Sequence, residues 1–302
     1  MPTEFKLNTG AVIPALGLGT WQDADSQEDA VYHALKAGYH HIDTARISRR
    51  GQGHQEVRSP PRENFPHHQA FNAHHPDDVE KAVDASLKDL DTDYVDLFLI
   101  HWPVAFARGD ELFPKDGNKP KMADIDYIDT YKALEKVFKK GKVKAIGISN
   151  FSKAEVERIL KECEGVPAVH QMEMHPWLQQ KEFADFHRQK GIHITHYSSL
   201  GNQNEIYGDN VGKVIEDPVL QEIGKKHDKT SAQFALAWGI ARGHSVIPKS
   251  KTTERIPQNF RGGFKLDEDD LKKIDGIDKK LRFNDYSESF GYNFFTDLDG
   301  KQ

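Results

Sequence analysis

Short apolar runs alternate with amphipathic segments from Pro14 almost to the end of this chain, and no other feature narrows its possible folds so far. A strand followed by a crossover helix returns the chain in its original direction, so repeated βα units build a parallel sheet and the class is α/β. Ala15-Leu16-Gly17-Leu18-Gly19 reads as the first strand. Behind it, Glu28–Lys36 carries Ala30, Val31, Ala34 and Leu35 at helical spacing. His40–Asp43 is the next strand. Later pairs are Tyr94–Ile100 with Ile128–Lys139, Lys144–Ser149 with Lys153–Cys163, and Ala168–Met172 with Glu182–Gln189. The series closes with Ile192–Tyr197 before Pro218–His227, then Ser245–Ile247 before Glu268–Ile277. An eighth strand and its helix are wanted between Asp43 and Pro76, where neither the helical nor the strand period is present.

An open doubly wound sheet shows the same alternation, so strand count alone does not separate it from a barrel. The first βα turn, Gly17-Leu18-Gly19-Thr20-Trp21-Gln22, lacks the third glycine of the dinucleotide fingerprint. Polar residues instead follow almost every strand, as at the C-terminal mouth of a barrel. The expectation is a single-domain (β/α)8 TIM barrel over residues 1–302, with the βα unit at about 46–75 disrupted. A net charge of -6 argues against a nucleic-acid partner, and one cysteine, Cys163, against a disulfide framework. No apolar run is long enough for a membrane span and the N-terminus lacks a signal-peptide pattern, so a cytoplasmic monomer or weak dimer is expected.

The residues at the strand ends are Thr20-Trp21, Asp43, His101-Trp102-Pro103, Ser149-Asn150, Gln171, Tyr197-Ser198 and Pro248-Lys249-Ser250. With the stretches Gly17–Trp21, His41–Ala45, Asp93–Leu97, Gly147–Phe151 and Ile247–Ser250, they make a chain that resembles the aldo-keto reductases in motif order over nearly its whole length. The resemblance implies an NADP(H)-dependent oxidoreductase acting on a small carbonyl or polyol substrate. It implies that His101 hydrogen-bonds and orients the substrate carbonyl, with Asp43 as its electrostatic partner. Ser149, Asn150 and Gln171 match positions that grip the nicotinamide carboxamide, and Tyr197 the ring that stacks on the nicotinamide. The segment from Lys249 resembles the one that binds the adenosine 2′-phosphate, with Lys249, Ser250 and Arg255 supplying charge and donors. Thr20, Ser198, Leu200, Thr252, Gln258 and Asn259 complete the implied cofactor contacts. Trp21 and Trp102 match aromatic positions of the substrate pocket, which the Arg282–Phe295 segment is expected to line.

The chain departs from the family in one place. Members carry a proton-donating tyrosine shortly after the motif at Asp43, and a lysine at the end of the third strand that lowers its pKa. Here the next tyrosine after Tyr39 is Tyr94, and the next lysine after Lys36 is Lys81. With suitable synonymous codons, His67-His68-Gln69-Ala70 read one base later becomes Thr-Thr-Lys-Leu, the family's lysine strand. At the same offset Glu56–Glu63 conceals Lys-Ser-Gly-Val-Pro-Arg-Glu-Lys and Gln52–Gln55 conceals Arg-Ala-Ile-Lys. A frameshift or misread splice over Ile47–Ala73 is therefore the expectation. Adjacent histidines in an extended loop do not converge on one ion, so His67, His68, His74 and His75 are not expected to bind metal. Three readings follow: a reductase in which His101 also donates the proton, an NADPH-binding barrel without turnover, or a barrel left open by a lost strand.

Overall fold

The computed structural model describes residues 1–21, 26–45, 65–70, 75–108, 114–117, 119–203 and 212–300. Eight strands form one sheet: β1 (Leu18–Gly19), β2 (His41–Ala45), β3 (Phe65–Ala70), β4 (Leu97–Ile100), β5 (Ile146–Ser149), β6 (Val169–Glu173), β7 (His193–Tyr197) and β8 (Ser245–Val246). Each is hydrogen-bonded in parallel to the next in chain order. The residues leading into β1 meet β8: Leu16 forms a parallel bridge with Val246, Gly17 N–H donates to Val246 O at 2.9 Å, and Val246 N–H donates to Ala15 O at 2.9 Å. Gly17 and Gly147 allow close packing elsewhere, against β2 and β6 respectively. A Cβ on Gly147 would stand 2.2 Å from Val169 O, and one on Gly17 would strike the His41 ring at 2.6 Å.

One expectation is corrected here. The third strand is not lost, because Phe65–Ala70 pairs with β2 over five residues and with β4 over four. Ladder bonds are made by backbone groups alone, so two strands flanking a gap template an extended segment whose side chains carry no strand pattern. Pro66, its second residue, brings no backbone donor to the ladder. The open-barrel reading therefore loses its premise of a missing strand. The rest of the expected disruption, including the helix of that unit and most of Ile47–Ala73, lies at residues 46–64 and 71–74, outside the described residues.

Helices α1 (Gln27–Ala37), α2 (Val79–Leu90), α3 (Tyr127–Lys139), α4 (Lys153–Glu162), α5 (Lys181–Lys190), α6 (Pro218–His227), α7 (Ser231–Ala241), α8 (Arg255–Phe260), α9 (Glu268–Asp275) and α10 (Ser287–Phe290) complete the chain. Their ends are fixed locally. Ser152 and Glu155 form a capping box on α4, Thr230 and Gln233 another on α7, and Gly38 and Gly191 end α1 and α5 in the left-handed conformation.

The two faces of the strands enter different cores. Phe98, Ile100, Ile146 and Ile148 pack with Val83 of α2, Leu134 of α3 and Val156 of α4. Leu97, Leu99 and Val169 instead pack with Leu7 and Ile13 of the N-terminal hairpin, formed by Glu4–Lys6 and Val12–Pro14. Apolar side chains and the hairpin therefore occupy the N-terminal end of the sheet, and polar side chains gather at the other end.

Several histidines are buried between the sheet and its cover. Phe151 N–H donates to His170 Nε2 at 3.2 Å, so the proton of that ring sits on Nδ1, which donates to His187 Nε2 at 2.8 Å. His187 Nδ1–H donates in turn to Phe183 O at 2.7 Å. A second proton on either ring would meet no acceptor among the described residues. Burial pushes His187 and His41 down to about 4 and His193 to about 3. Between these values and the ordinary histidine pKa the unfolded chain binds more protons, so stability is complete above about pH 6.5 and falls as pH drops toward 4. Each such ring costs on the order of 3 kcal/mol. Thermal unfolding followed by circular dichroism should show a flat Tm above neutrality and a steep fall from about pH 6.5 to 4; a flat Tm through that window would contradict it.

Candidate active site

Five strands of the sheet deliver polar side chains to the same end of it. Asp43 lies within β2, His101 follows β4 directly, Ser149 ends β5, Gln171 lies in β6 and Tyr197 ends β7. The registers Asp43↔Gly19, Ser149↔Gln171 and Glu173↔Tyr197 hold them level.

Asn150 joins three of these positions. Its Nδ2 donates to the His101 carbonyl at 3.0 Å and to Ser149 Oγ at 3.1 Å, while Tyr197 Oη–H donates to its Oδ1 at 2.6 Å. The side chain is thereby used at both ends, although Asn150 sits at φ 64°, a left-handed conformation asparagine adopts more readily than most residues. Ser198 is left-handed as well, at φ 47°. Left-handed backbone thus follows both β5 and β7, the strands on either side of β6, and such strained positions cluster at functional sites.

A second chain of bonds fixes Asp43. Gln171 Nε2 donates to Asp43 Oδ1 at 3.3 Å, and Thr20 Oγ1–H donates to the Asp43 carbonyl at 2.9 Å. Thr20, Ser149, Asn150 and Gln171 are all buried, and Asp43 and His101 are half-buried. The His101 ring lies parallel to Trp102, 5.7 Å between centroids. Trp102 is buried in an aromatic cluster with Tyr286, Phe290 and Phe294 at 5.5, 5.5 and 5.0 Å. Trp21, by contrast, is 44% exposed, so the two tryptophans do not share one packed wall.

Beside Thr20 a shallow, solvent-open cleft is lined by Gly19, Ser26, Gln27, Lys249, Ser250 and Lys251 among others. Gly19 lets β1 approach the residues after β8, since a Cβ there would stand 2.8 Å from Ile247 O. Ser250 Oγ accepts Thr252 N–H at 3.1 Å and shapes the turn into α8. Helix α8 is anchored by Tyr39 Oη–H donating to Ile256 O and Gln233 Nε2 donating to Gln258 O. It leaves Arg255 and Gln258 exposed and turns Asn259 inward. Leu200 is half-buried against the apolar cluster around β1.

The model of the Aldo/keto reductase family matches residues 15–279. The chain belongs to that family. An uncharacterized oxidoreductase of Schizosaccharomyces pombe is 44% identical over 290 residues, covering 93% of this chain and 90% of the relative. Aldo-keto reductase family 1 member A1 of Sus scrofa is 40% identical over 291 residues, covering 92% and 90%. The protein of the same name from Xenopus tropicalis is 40% identical over 303 residues, covering 92% and 89%. This aldo-keto reductase is accordingly an oxidoreductase enzyme, and the reading as a binding barrel without turnover finds no support. Among the described residues no helix is long and apolar enough to cross a membrane.

Sequence reasoning missed some residues of this aldo-keto reductase. Gln27 and Lys251 line the cleft beside the residues it did name, and Gln27 Nε2 donates to Thr20 O at 2.9 Å. Glu173 is a buried carboxylate two residues beyond Gln171, and the strand period of two would have placed it on the same face. His227, Asp267 and Asp270 bring three ligand atoms within 4.8 Å, but Lys226 donates to both carboxylates at 3.1 Å, making an ion network at the start of α9. His74 and the side chains of His67 and His68 lie outside the described residues.

Proposed function

We propose that the chain is an NADP(H)-dependent reductase that interconverts a small aldehyde or ketone and the corresponding alcohol, in a single-domain (β/α)8 barrel. The observation that carries the reading is the pair of bond chains, Tyr197–Asn150–His101 and Gln171–Asp43–Thr20, that gather amide, phenol, carboxylate and imidazole at one end of the sheet. A single cysteine fits a reducing cytoplasm, and a monomer or weak dimer is the expected state.

The donor set fits the cofactor. Lys249, Lys251, Ser250 and Thr20 converge on one cleft, a composition suited to phosphate groups, and Arg255 stands exposed at the start of α8. Asn150, Ser149 and Gln171 offer both donors and an acceptor, as a carboxamide requires. Tyr197 and Ser198 flank that position, with Leu200, Thr252, Gln258 and Asn259 farther along the same path. When bound, NADPH supplies the hydride that the carbonyl carbon receives.

Every other part of the chemistry falls to the protein. An imidazole N–H of His101 hydrogen-bonds the carbonyl oxygen and orients it. As charge develops on that oxygen, the His101 ring gives it a proton and the alcohol forms, with Asp43 as the electrostatic partner of the ring. Trp102 and the aromatics packed on it shield the site from water, with Trp21 at its rim.

Cofactor choice provides the test. Lys249→Met is expected to weaken NADPH binding by about 10- to 100-fold, the worth of a charge-assisted hydrogen bond, and to leave NADH binding nearly unchanged. Fluorescence titration with both nucleotides measures this. Equal losses for the two would remove Lys249 from the 2′-phosphate site.

A further inference from the structure

Glu173 closes β6 as a fully buried carboxylate, and a carboxylate in that position needs its lone pairs filled. Four donors fill them. His175 Nε2 lies 3.0 Å from Oε1, Phe283 N–H donates to Oε1 at 2.7 Å, Asn284 N–H donates to Oε2 at 2.8 Å, and Asn284 Nδ2 donates to Oε2 at 2.9 Å. Three of the four come from the C-terminal segment. Burial works to raise the pKa of Glu173, but its hydrogen bond to His175, the Arg282 charge and the Phe283 N–H outweigh that and hold it below its ordinary value.

The same segment reaches both halves of the proposed site. Asn284 Nδ2 also donates to Ser198 Oγ at 3.2 Å, on the cofactor side. Two residues later Tyr286 begins the aromatic run that packs on Trp102, next to His101. The adjoining Arg282 is buried, with its guanidinium 3.9 Å from the Phe295 ring centre and Nη2 donating to Gln180 Oε1 and Asp299 O. Gln180 Nε2 donates back to the Glu173 carbonyl at 2.8 Å. The segment is therefore tied to β6 through both the side chain and the backbone of one residue.

We infer that Glu173 is a positioning residue that sets the C-terminal segment against the barrel mouth, and through Asn284 and Tyr286 fixes Ser198 and the Trp102 wall together. This rests on the proposed reductase reading for its functional consequence, but not for the clamp itself. Substrate discrimination and cofactor affinity are coupled through one carboxylate, because neither Asn284 nor Tyr286 keeps its place when the backbone bonds at Phe283 and Asn284 are released.

Glu173→Gln tests it, since the amide turns an N–H2 toward backbone donors that need an acceptor. Three readouts are taken: deuterium uptake of residues 283–295 without cofactor, NADPH affinity by fluorescence, and KM for benzaldehyde relative to glyceraldehyde. The expected result is faster uptake in the segment, NADPH binding weaker by about 3- to 10-fold, and a shift in the KM ratio of about 5-fold, with kcat on glyceraldehyde falling less. Asn284→Ala, which keeps the carboxylate and the backbone bonds, should weaken NADPH binding while moving the KM ratio less. Non-additivity in the double variant would place both on one path. A lower Tm with segment uptake, NADPH affinity and KM ratio all unchanged would make Glu173 merely structural and overturn the proposal. If Glu173→Gln does not fold, Asn284→Ala decides by the same readouts. Should the unaltered chain fail to bind NADPH, the reductase reading fails, while deuterium uptake still judges the clamp.

Discussion

His101→Ala is expected to lower kcat/KM by about 10²- to 10⁴-fold with little change in NADPH affinity, the range lost when a placed general acid is removed. The structure separates the two effects. Asn150 reaches His101 only through the backbone carbonyl, so truncating the imidazole leaves the Tyr197–Asn150 chain in place. The ring itself faces Trp102, and His101 does not line the cleft at Lys249 and Ser250. His101→Gln divides the role further, because an amide N–H can polarise a carbonyl without supplying a proton. Steady-state rates with glyceraldehyde beside NADPH titrations measure both quantities. A loss below about 3-fold would show that another group is the acid.

Re-encoding Ile47–Ala73 in the shifted frame is expected to raise turnover by about 10²-fold or more, the usual worth of a well-placed proton donor. The strand register supports the comparison. His67 pairs with Asp43, and Gln69, the position that becomes lysine, pairs with Ala45 and Leu99. The Thr-Thr-Lys-Leu reading thus falls on β3, two residues along from the pairing with Asp43, as the family's lysine strand requires. The remaining part of the segment lies at 46–64 and 71–74, outside the described residues. Equal rates from the two chains would mean that the segment as it stands already provides an acid, or that His101 suffices.

Different physical causes decided what could be read from the sequence. Leu97–Ile100 was legible because an unbroken apolar run suits a parallel strand buried on both faces, as it is here. Asp43, His101, Asn150 and Gln171 were legible because strand ends are where a polar residue survives beside an apolar run, and the structure gathers them at one end of the sheet. Helix α7 was missed for the opposite reason. Phe234 to Ile240 are buried all round, so no period marks them as a helix. Strand β3 was misjudged because its extended backbone is set by the ladders of β2 and β4, and its own residues carry no pattern. Glu173 escaped notice because three of its four bonds come from residues 110 and 111 positions away, a distance over which a single sequence holds no pairing signal. Trp21 was expected in the substrate wall on resemblance alone, and its exposure leaves it at most a rim residue.

The most direct measurement is NADPH oxidation by the unaltered chain in the presence of glyceraldehyde, with NADPH binding confirmed by fluorescence in the same preparation. The expected result is saturable binding and slow turnover that His101→Ala abolishes, consuming one NADPH for each alcohol formed. A folded chain that neither binds NADPH nor turns over the aldehyde would contradict the reductase assignment made from the strand-end residues.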